Sequence, residues 1–251
     1  MYVYFYDTFV GDSKFRSALA RIETRLTDLG VSGKICRLSV LTSIHESVSE
    51  AIKKGADTLV AVGNDHTLTK ILPLVAGTNV TLGYIPIESP NRLAVFLGIP
   101  ESEKACDTLS ARVIKRLDLG KANATYFLTE LDVPPGNITA WINNQFSIKP
   151  RDPDQRVLIC NLGWSDGRRQ SDPSDGLLEV VVSGGKAAGL GKWFGKRTVD
   201  ASIFPAKTVV LEGDQTMESV VVDGQTVITL PATVEVASKK LRIIVGKTRQ
   251  F

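Results

Sequence analysis

The sequence predicts a mixed α/β chain: a three-layer α/β domain over residues 1–118, then an antiparallel all-β domain over residues 119–251. Three observations carry this. Short apolar, β-branched runs alternate with helix-period segments through the first part, which is the pattern of parallel strands joined by right-handed crossovers. Beyond about residue 118 helical spacing gives way to short β runs split by Asp-Gly and Gly-Gly turns, the texture of a β-sandwich. The chain has 251 residues, 43% apolar and 23% charged, an ordinary composition for one large or two modest globular domains.

The elements follow in order. Val3–Tyr6 reads as a strand, and Phe15, Leu19, Ile22, Leu26 and Leu29 mark one face of a helix over Ser13–Leu29, closed by Gly30. Lys34–Leu38 is a second strand. Ser43 and Glu46 form a capping box at the start of a helix over Ser43–Lys54, which ends at Gly55. Thr58–Val62 is a strand, Leu68–Val75 a helix, Thr81–Ile85 a strand and Glu103–Arg112 a helix. The β runs of the second part are Val157–Cys160, Leu177–Val182, Thr208–Leu211, Ser219–Val222, Thr226–Leu230 and Leu241–Val245.

Composition excludes several functions. A net charge of +3 without a clustered basic stripe argues against nucleic acid. Two histidines, His45 and His66, are too few for a histidine-based metal site, and Cys36, Cys106 and Cys160 have no metal or disulfide spacing. Reduced thiols fit a cytoplasmic protein. The apolar start, Met1–Val10, is short, lacks a basic leader and contains Asp7, so no transmembrane segment is expected there. Residues 186–197 hold Lys186, Lys192, Lys196 and Arg197 beside Trp193 and Phe194. They read as a surface loop, and as the candidate for peripheral membrane contact.

Chemistry concentrates where Thr58–Val62 ends at Gly63-Asn64-Asp65-His66-Thr67. The C-terminal end of a parallel strand opens onto the N-terminus of the next helix, whose free N–H groups and dipole favour phosphate. Three further motifs are Gly83 to Ala94 with Glu88-Ser89-Pro90-Asn91-Arg92 inside it, Asp175-Gly176-Leu177-Leu178-Glu179-Val180, and Asp223-Gly224-Gln225. In this order and spacing they resemble the diacylglycerol kinase catalytic family, which includes bacterial lipid kinases and sphingosine kinases. Its pattern is GGDGT, then P-x-G-T-x-N-D, then D-G-x-L-x-V, then D-G-E. Arg116 to Lys121 resembles the family's strand into its second domain. The resemblance implies a Rossmann-like nucleotide-binding domain, a β-sandwich and an active site in the cleft between them.

It further implies ATP against Gly63, Asn64, Asp65, His66, Thr67, Ser89 and Asn91, Mg²⁺ at Asp65, and transfer to a lipid hydroxyl near Gln225. Asp172 and Asp175 correspond to a region near a structural metal. Departures from the pattern are as informative. Asn64 and His66 replace glycines, and both residue types enter the left-handed region readily. Glu88 replaces a glycine beside the phosphates, and Pro90 lacks an N–H. Arg92 replaces an acid, and Gln225 replaces the glutamate expected to take the acceptor proton, for which an amide has no useful basicity. The resemblance therefore leaves two functions open: a lipid kinase of weak or lost activity, and a pseudokinase that binds nucleotide or lipid without turnover. From the residues alone, Asp65 also suits a helix N-terminus and Asp223-Gly224 a plain hairpin turn.

Overall fold

The structure is a computed structural model that describes residues 1–39, 43–88, 91–134, 138–150, 155–162, 171–183, 201–213, 219–224 and 226–251. The chain divides into two compact units, Met1–Leu117 with Lys239–Phe251, and Asp118–Ser238.

In the first unit β1 (Tyr2–Tyr6), β2 (Gly33–Arg37), β3 (Thr58–Gly63) and β4 (Thr81–Pro86) pair in parallel in the spatial order β2-β1-β3-β4. All six residues of β3 and of β4 are buried, which is why both read as continuous apolar runs. The crossovers are α1 (Arg16–Asp28), α2 (Ile44–Lys53) and α3 (Asp65–Val75). Two 3-10 turns, Thr8–Gly11 and Ser13–Phe15, precede α1, so it starts three residues later than its periodicity suggests. Ser43 caps α2 by accepting the Glu46 N–H, one half of the expected capping box. α3 starts earlier than Leu68 because Asn64 caps it.

The periodicity misses α4 (Arg92–Leu97) and places α5 (Ala105–Ala111) correctly within 103–112. A six-residue helix is too short to form alone, so α4 depends on its surroundings. Gly98 ends it at φ +66°, and the tail supplies N–H donors to its last carbonyls: Gly246 to Leu97 O at 2.8 Å and Gln250 to Phe96 O at 2.9 Å.

The C-terminal strand is the main correction to the expected domain division. The run Leu241–Val245 is expected in the all-β domain, yet its strand, Leu241–Ile244, joins the first sheet. It pairs in parallel with β4 and antiparallel with β5 (Ile114–Leu117). The physical reason is burial: β4 carries apolar side chains on both faces, and without a neighbour on that side its edge groups would lie unpaired. Leu241, Ile243 and Ile244 are fully buried there.

Among the described residues the second unit shows two six-stranded antiparallel sheets. One runs Phe146–Ile148, Ile138–Ile142, Thr208–Gly213, Ala232–Val236, Gly120–Ala122, Thr125–Phe127 in space. The other runs Ser202–Ala206, Leu178–Ser183, Arg156–Cys160, Glu130–Val133, Ser219–Val222, Thr226–Thr229. Both sheets feed one apolar core, with Phe127, Ile142 and Val209 from the first and Leu131, Ile159 and Val180 from the second. The expected strand over 116–121 is two strands, ending at Leu117 and restarting at Gly120, where the chain passes from one unit to the other.

All three cysteines are free thiols. Among the described residues no helix is long and apolar enough to cross a membrane. Ile243→Ala removes a fully buried side chain from a strand between β4 and β5 and is expected to cost about 2–5 kcal/mol in urea unfolding. A loss below about 0.5 kcal/mol would mean that the C-terminal strand contributes nothing to this core.

Candidate functional site

The strand order reverses direction between β1 and β3, and such a switch point is where an open parallel sheet binds ligands, at its C-terminal edge. β1 runs there into Asp7, β3 ends in Gly63, and β4 ends in Pro86 and runs into Ile87 and Glu88. The Asp7 N–H donates to Val62 O at 3.0 Å and the Ile87 N–H to Gly63 O at 2.6 Å, so the three strand ends are tied together.

Gly63 is there because nothing larger fits. A Cβ at this position would lie 2.2 Å from Thr67 Oγ1 and 3.0 Å from Asp7 Cβ. The space it leaves admits the Thr67 hydroxyl, which donates to Asp7 Oδ2 at 2.7 Å and accepts the Asn64 N–H at 3.1 Å. Asn64 Oδ1 accepts the Thr67 N–H at 3.2 Å, which completes a reciprocal cap. Asn64 has φ −108° and His66 lies within the first turn of α3, so neither takes the left-handed conformation expected of them. The turn needs no such residue because the Asn64 cap already sets the helix start. His66 is exposed.

Asp65 and Asn91 meet around Tyr84. The Tyr84 hydroxyl lies 3.0 Å from Asp65 Oδ1 and 3.1 Å from Asn91 Oδ1, so one proton serves two acceptors. The Asn91 amide donates to Glu88 O at 2.7 Å, and the Leu93 N–H donates to Asp65 Oδ2 at 3.1 Å. Asn91 caps α4 by position but makes no cap hydrogen bond with its side chain; the Asp65 carboxylate fills that role from the neighbouring helix. Burial pushes the Asp65 carboxyl above the ordinary carboxylate range. The Leu93 N–H, the Tyr84 hydroxyl, and the N–H and charge of Arg92 pull against it. Burial and the Asp65 charge likewise raise Tyr84, so its hydroxyl stays a donor.

Glu88 sits at φ +69°, the left-handed region, at the position where the resemblance expects glycine. The loop keeps a glycine's conformation with a side chain that pays roughly 1–2 kcal/mol for it. The Glu88 Oε1 accepts from Lys14 Nζ at 2.7 Å, and the Lys14 ammonium stands 4.6 Å from the centre of the Phe15 ring. Arg92 is exposed at the start of α4.

A family model described as "Diacylglycerol kinase catalytic domain" matches residues 1–122. The matched segment spans β1 to β5 and the first strand of the second unit. A curated diacylglycerol kinase from Bacillus subtilis (strain 168) is 29% identical over 143 residues, 51% of this chain. The chain spans about half of that relative's length, 47%. A diacylglycerol kinase structure from Bacillus anthracis str. Sterne superposes with TM-score 0.77 at 16% identity, covering 99% of this chain and 98% of its own. An NAD kinase from Archaeoglobus fulgidus, solved in complex with ATP, superposes with TM-score 0.64 at 16% identity, over 99% and 95%. At such identity the superpositions speak for the fold.

Against the family pattern, the structure brings Gly63, Asn64, Asp65, Thr67 and Asn91 together at the end of β3 and β4. Ser89 and Gln225, expected at the nucleotide and the acceptor, lie outside the described residues, as do Pro90 and residues 186–197. Asp223 and Gly224 both have positive φ in the turn between Ser219–Val222 and Thr226–Thr229. The Asp223 carboxylate accepts the N–H groups of Leu128 and Thr129 at 3.1 and 2.9 Å and so anchors that turn. Asp172 and Asp175, expected near a metal, close a tight turn: Asp172 Oδ1 accepts the Ser174 N–H at 3.0 Å and Asp175 Oδ1 the Leu177 N–H at 2.9 Å. Among the described residues no three His, Cys, Asp or Glu side chains form a metal-binding group. Sequence reasoning missed Asp7, Lys14 and Tyr84. Only Asp7 left a signal, a polar residue directly after an apolar strand.

Two predictions test this geometry. Asn64→Ala loses the cap and is expected to cost about 1 kcal/mol, whereas Asn64→Gly, the family's residue, costs only a few tenths; equal losses in thermal unfolding would refute the cap. Because the folded Asp65 holds its proton to higher pH than its ordinary value of 3.8, the folded state binds more protons just above that pH, and this group's contribution falls as pH rises through the window. Asp65→Asn keeps an acceptor and removes the titration. Its stability relative to wild type should therefore rise from about pH 3 to about pH 7; a flat difference in urea unfolding would remove the burial argument.

Proposed function

We propose that this protein is an ATP-dependent phosphotransferase of the diacylglycerol kinase kind, acting on a lipid hydroxyl. The observation that carries the reading is that the family match falls on the segment that builds the switch-point edge, with Asp65 and Thr67 of the GGDGT pattern retained. An NAD kinase of the same fold, solved in complex with ATP, supports the reading that this fold takes a nucleotide. On this reading the first unit is a Rossmann-like nucleotide-binding domain and the second a β-sandwich. The protein works in the cytoplasm, where ATP is, and meets its acceptor at the membrane surface.

ATP phosphates would face the turn Gly63–Thr67 with Asn91 beside them, and the family pattern adds Ser89 as a nucleotide contact. Asp65 fits Mg²⁺, because a carboxylate offers about four acceptor positions and the Tyr84 hydroxyl and the Leu93 and Arg92 N–H groups do not fill them all. One or two carboxylates are what Mg²⁺ needs when phosphates supply the other ligands. Bound there, Mg²⁺ would neutralise charge on the phosphates. This chain's own residues position: Tyr84 orients the Asp65 carboxylate, and the cap formed by Asn64 and Thr67 fixes the turn. Gln225 can hold an acceptor hydroxyl by hydrogen bonding but cannot take its proton.

A second reading, a pseudokinase that binds nucleotide or lipid without turnover, is favoured by one observation. Arg92 and Gln225 stand where two acids are expected, and Asp65 is already engaged in holding α4. Calorimetric titration with ATP and Mg²⁺, followed by transfer assays on diacylglycerol and a sphingoid base, separates the two. As a kinase the protein binds ATP, loses Mg²⁺-dependent affinity on Asp65→Asn and phosphorylates an acceptor. Arg92→Asp with Gln225→Glu should then raise turnover by about 10²–10⁴-fold. Binding without transfer in the parent supports the pseudokinase. Absence of ATP binding at millimolar concentration would overturn both nucleotide readings.

A further inference from the structure

We propose that Glu88 is an internal competitor for phosphate: its carboxylate holds the Lys14 ammonium that an incoming nucleotide would otherwise meet. This rests on the nucleotide reading above and concerns the regulation of that same site. Lys14 follows β1 and Glu88 follows β4, while β3 runs between those strands. With neighbouring strands about 4.8 Å apart, the ion pair bridges loops roughly 10 Å apart at their bases and spans the end of β3. The turn Gly63–Thr67 leaves the sheet at that point. The pair is therefore a strap across the mouth of the proposed phosphate site.

Both ends of the strap are built in. The Lys14 ammonium also sits over the Phe15 ring, which itself packs edge-on against Phe9 at 5.6 Å between ring centres. Glu88 reaches Lys14 from a left-handed backbone that a glycine would occupy without strain, and its own carbonyl accepts from Asn91. A side chain kept in a strained backbone position, paired with the cation of the facing loop, has a local consequence. It places a carboxylate where phosphate would be attracted.

The strap is weak enough to open. The Lys14 and Glu88 side chains are 58% and 48% exposed, and exposed ion pairs are worth little. Phosphate carries more charge than a carboxylate and displaces Glu88 from Lys14 on binding. Glu88 thus lowers nucleotide affinity without closing the site.

The test is calorimetric titration of ATP with Mg²⁺ into wild type, Glu88→Gln, Lys14→Gln and the double variant, with circular dichroism to show that each is folded. Glu88→Gln is expected to bind ATP about 1.5- to 5-fold more tightly, an effect that shrinks at high salt. Lys14→Gln is expected to bind more weakly, and adding Glu88→Gln to it should give no further gain. An unchanged or weaker affinity in Glu88→Gln, or a gain that persists in the Lys14→Gln background, would overturn the inference and leave the nucleotide reading standing. ATP binding by Glu88→Gln with none by wild type supports the strap in its strongest form. Absence of binding to all four proteins overturns the nucleotide reading, and the strap falls with it.

Discussion

The close approach of Thr67 to Gly63 is the contact on which the site depends. A hydroxyl enters the space that a Cβ would fill, and from there it joins the β1 end, through Asp7, to the first turn of α3, through Asn64. Backbone hydrogen bonds already hold the strand ends side by side. The hydroxyl adds the first turn of α3 to that surface, because it donates and accepts at once. The position of Asp65, the next residue after the cap, follows from this fixed turn.

From Asp65 the constraint passes outward. Its carboxylate supports α4, a helix too short to stand alone, and the C-terminal tail supports the other end. A residue expected to serve a ligand therefore also carries structure. The burial that raises its proton affinity comes from the same packing that brings Tyr84 and Asn91 to it. The tie between β1, β3 and β4 is made by Asp7, Gly63, Asn64, Thr67 and Ile87, positions other than the two, Arg92 and Gln225, where the family pattern has acids. The edge can keep its shape whether or not it transfers phosphate.

Charge at the edge is balanced internally. The start of an 11-residue helix favours negative charge. Asp65 stands in that first turn and Asp7 bonds to Thr67, while Glu88 pairs with Lys14 nearby in the sheet order. A nucleotide's phosphates would enter a region that already holds carboxylates, so cations, whether Lys14 or Mg²⁺, decide how strongly they are held.

The sequence by itself determined the parallel strands, the helices α1, α2, α3 and α5, and the switch to antiparallel β structure. Each of these rests on periodicity or on local capping that a few neighbouring residues specify. It also marked the candidate site, because an apolar strand that stops at Gly63 before a helix is where an open parallel sheet offers a ligand free N–H groups. Only the tertiary structure decided the partners of that site. The Asp7–Thr67 bond joins residues 60 positions apart and the Lys14–Glu88 pair residues 74 apart. The return of Leu241–Ile244 to the first sheet is of the same kind: its apolar run suits either unit, and the exposed edge beside β4 settled the choice. α4 was invisible for the complementary reason. Its stability comes from Asp65 and the C-terminal tail, and no local signal encodes contacts that the fold alone brings together.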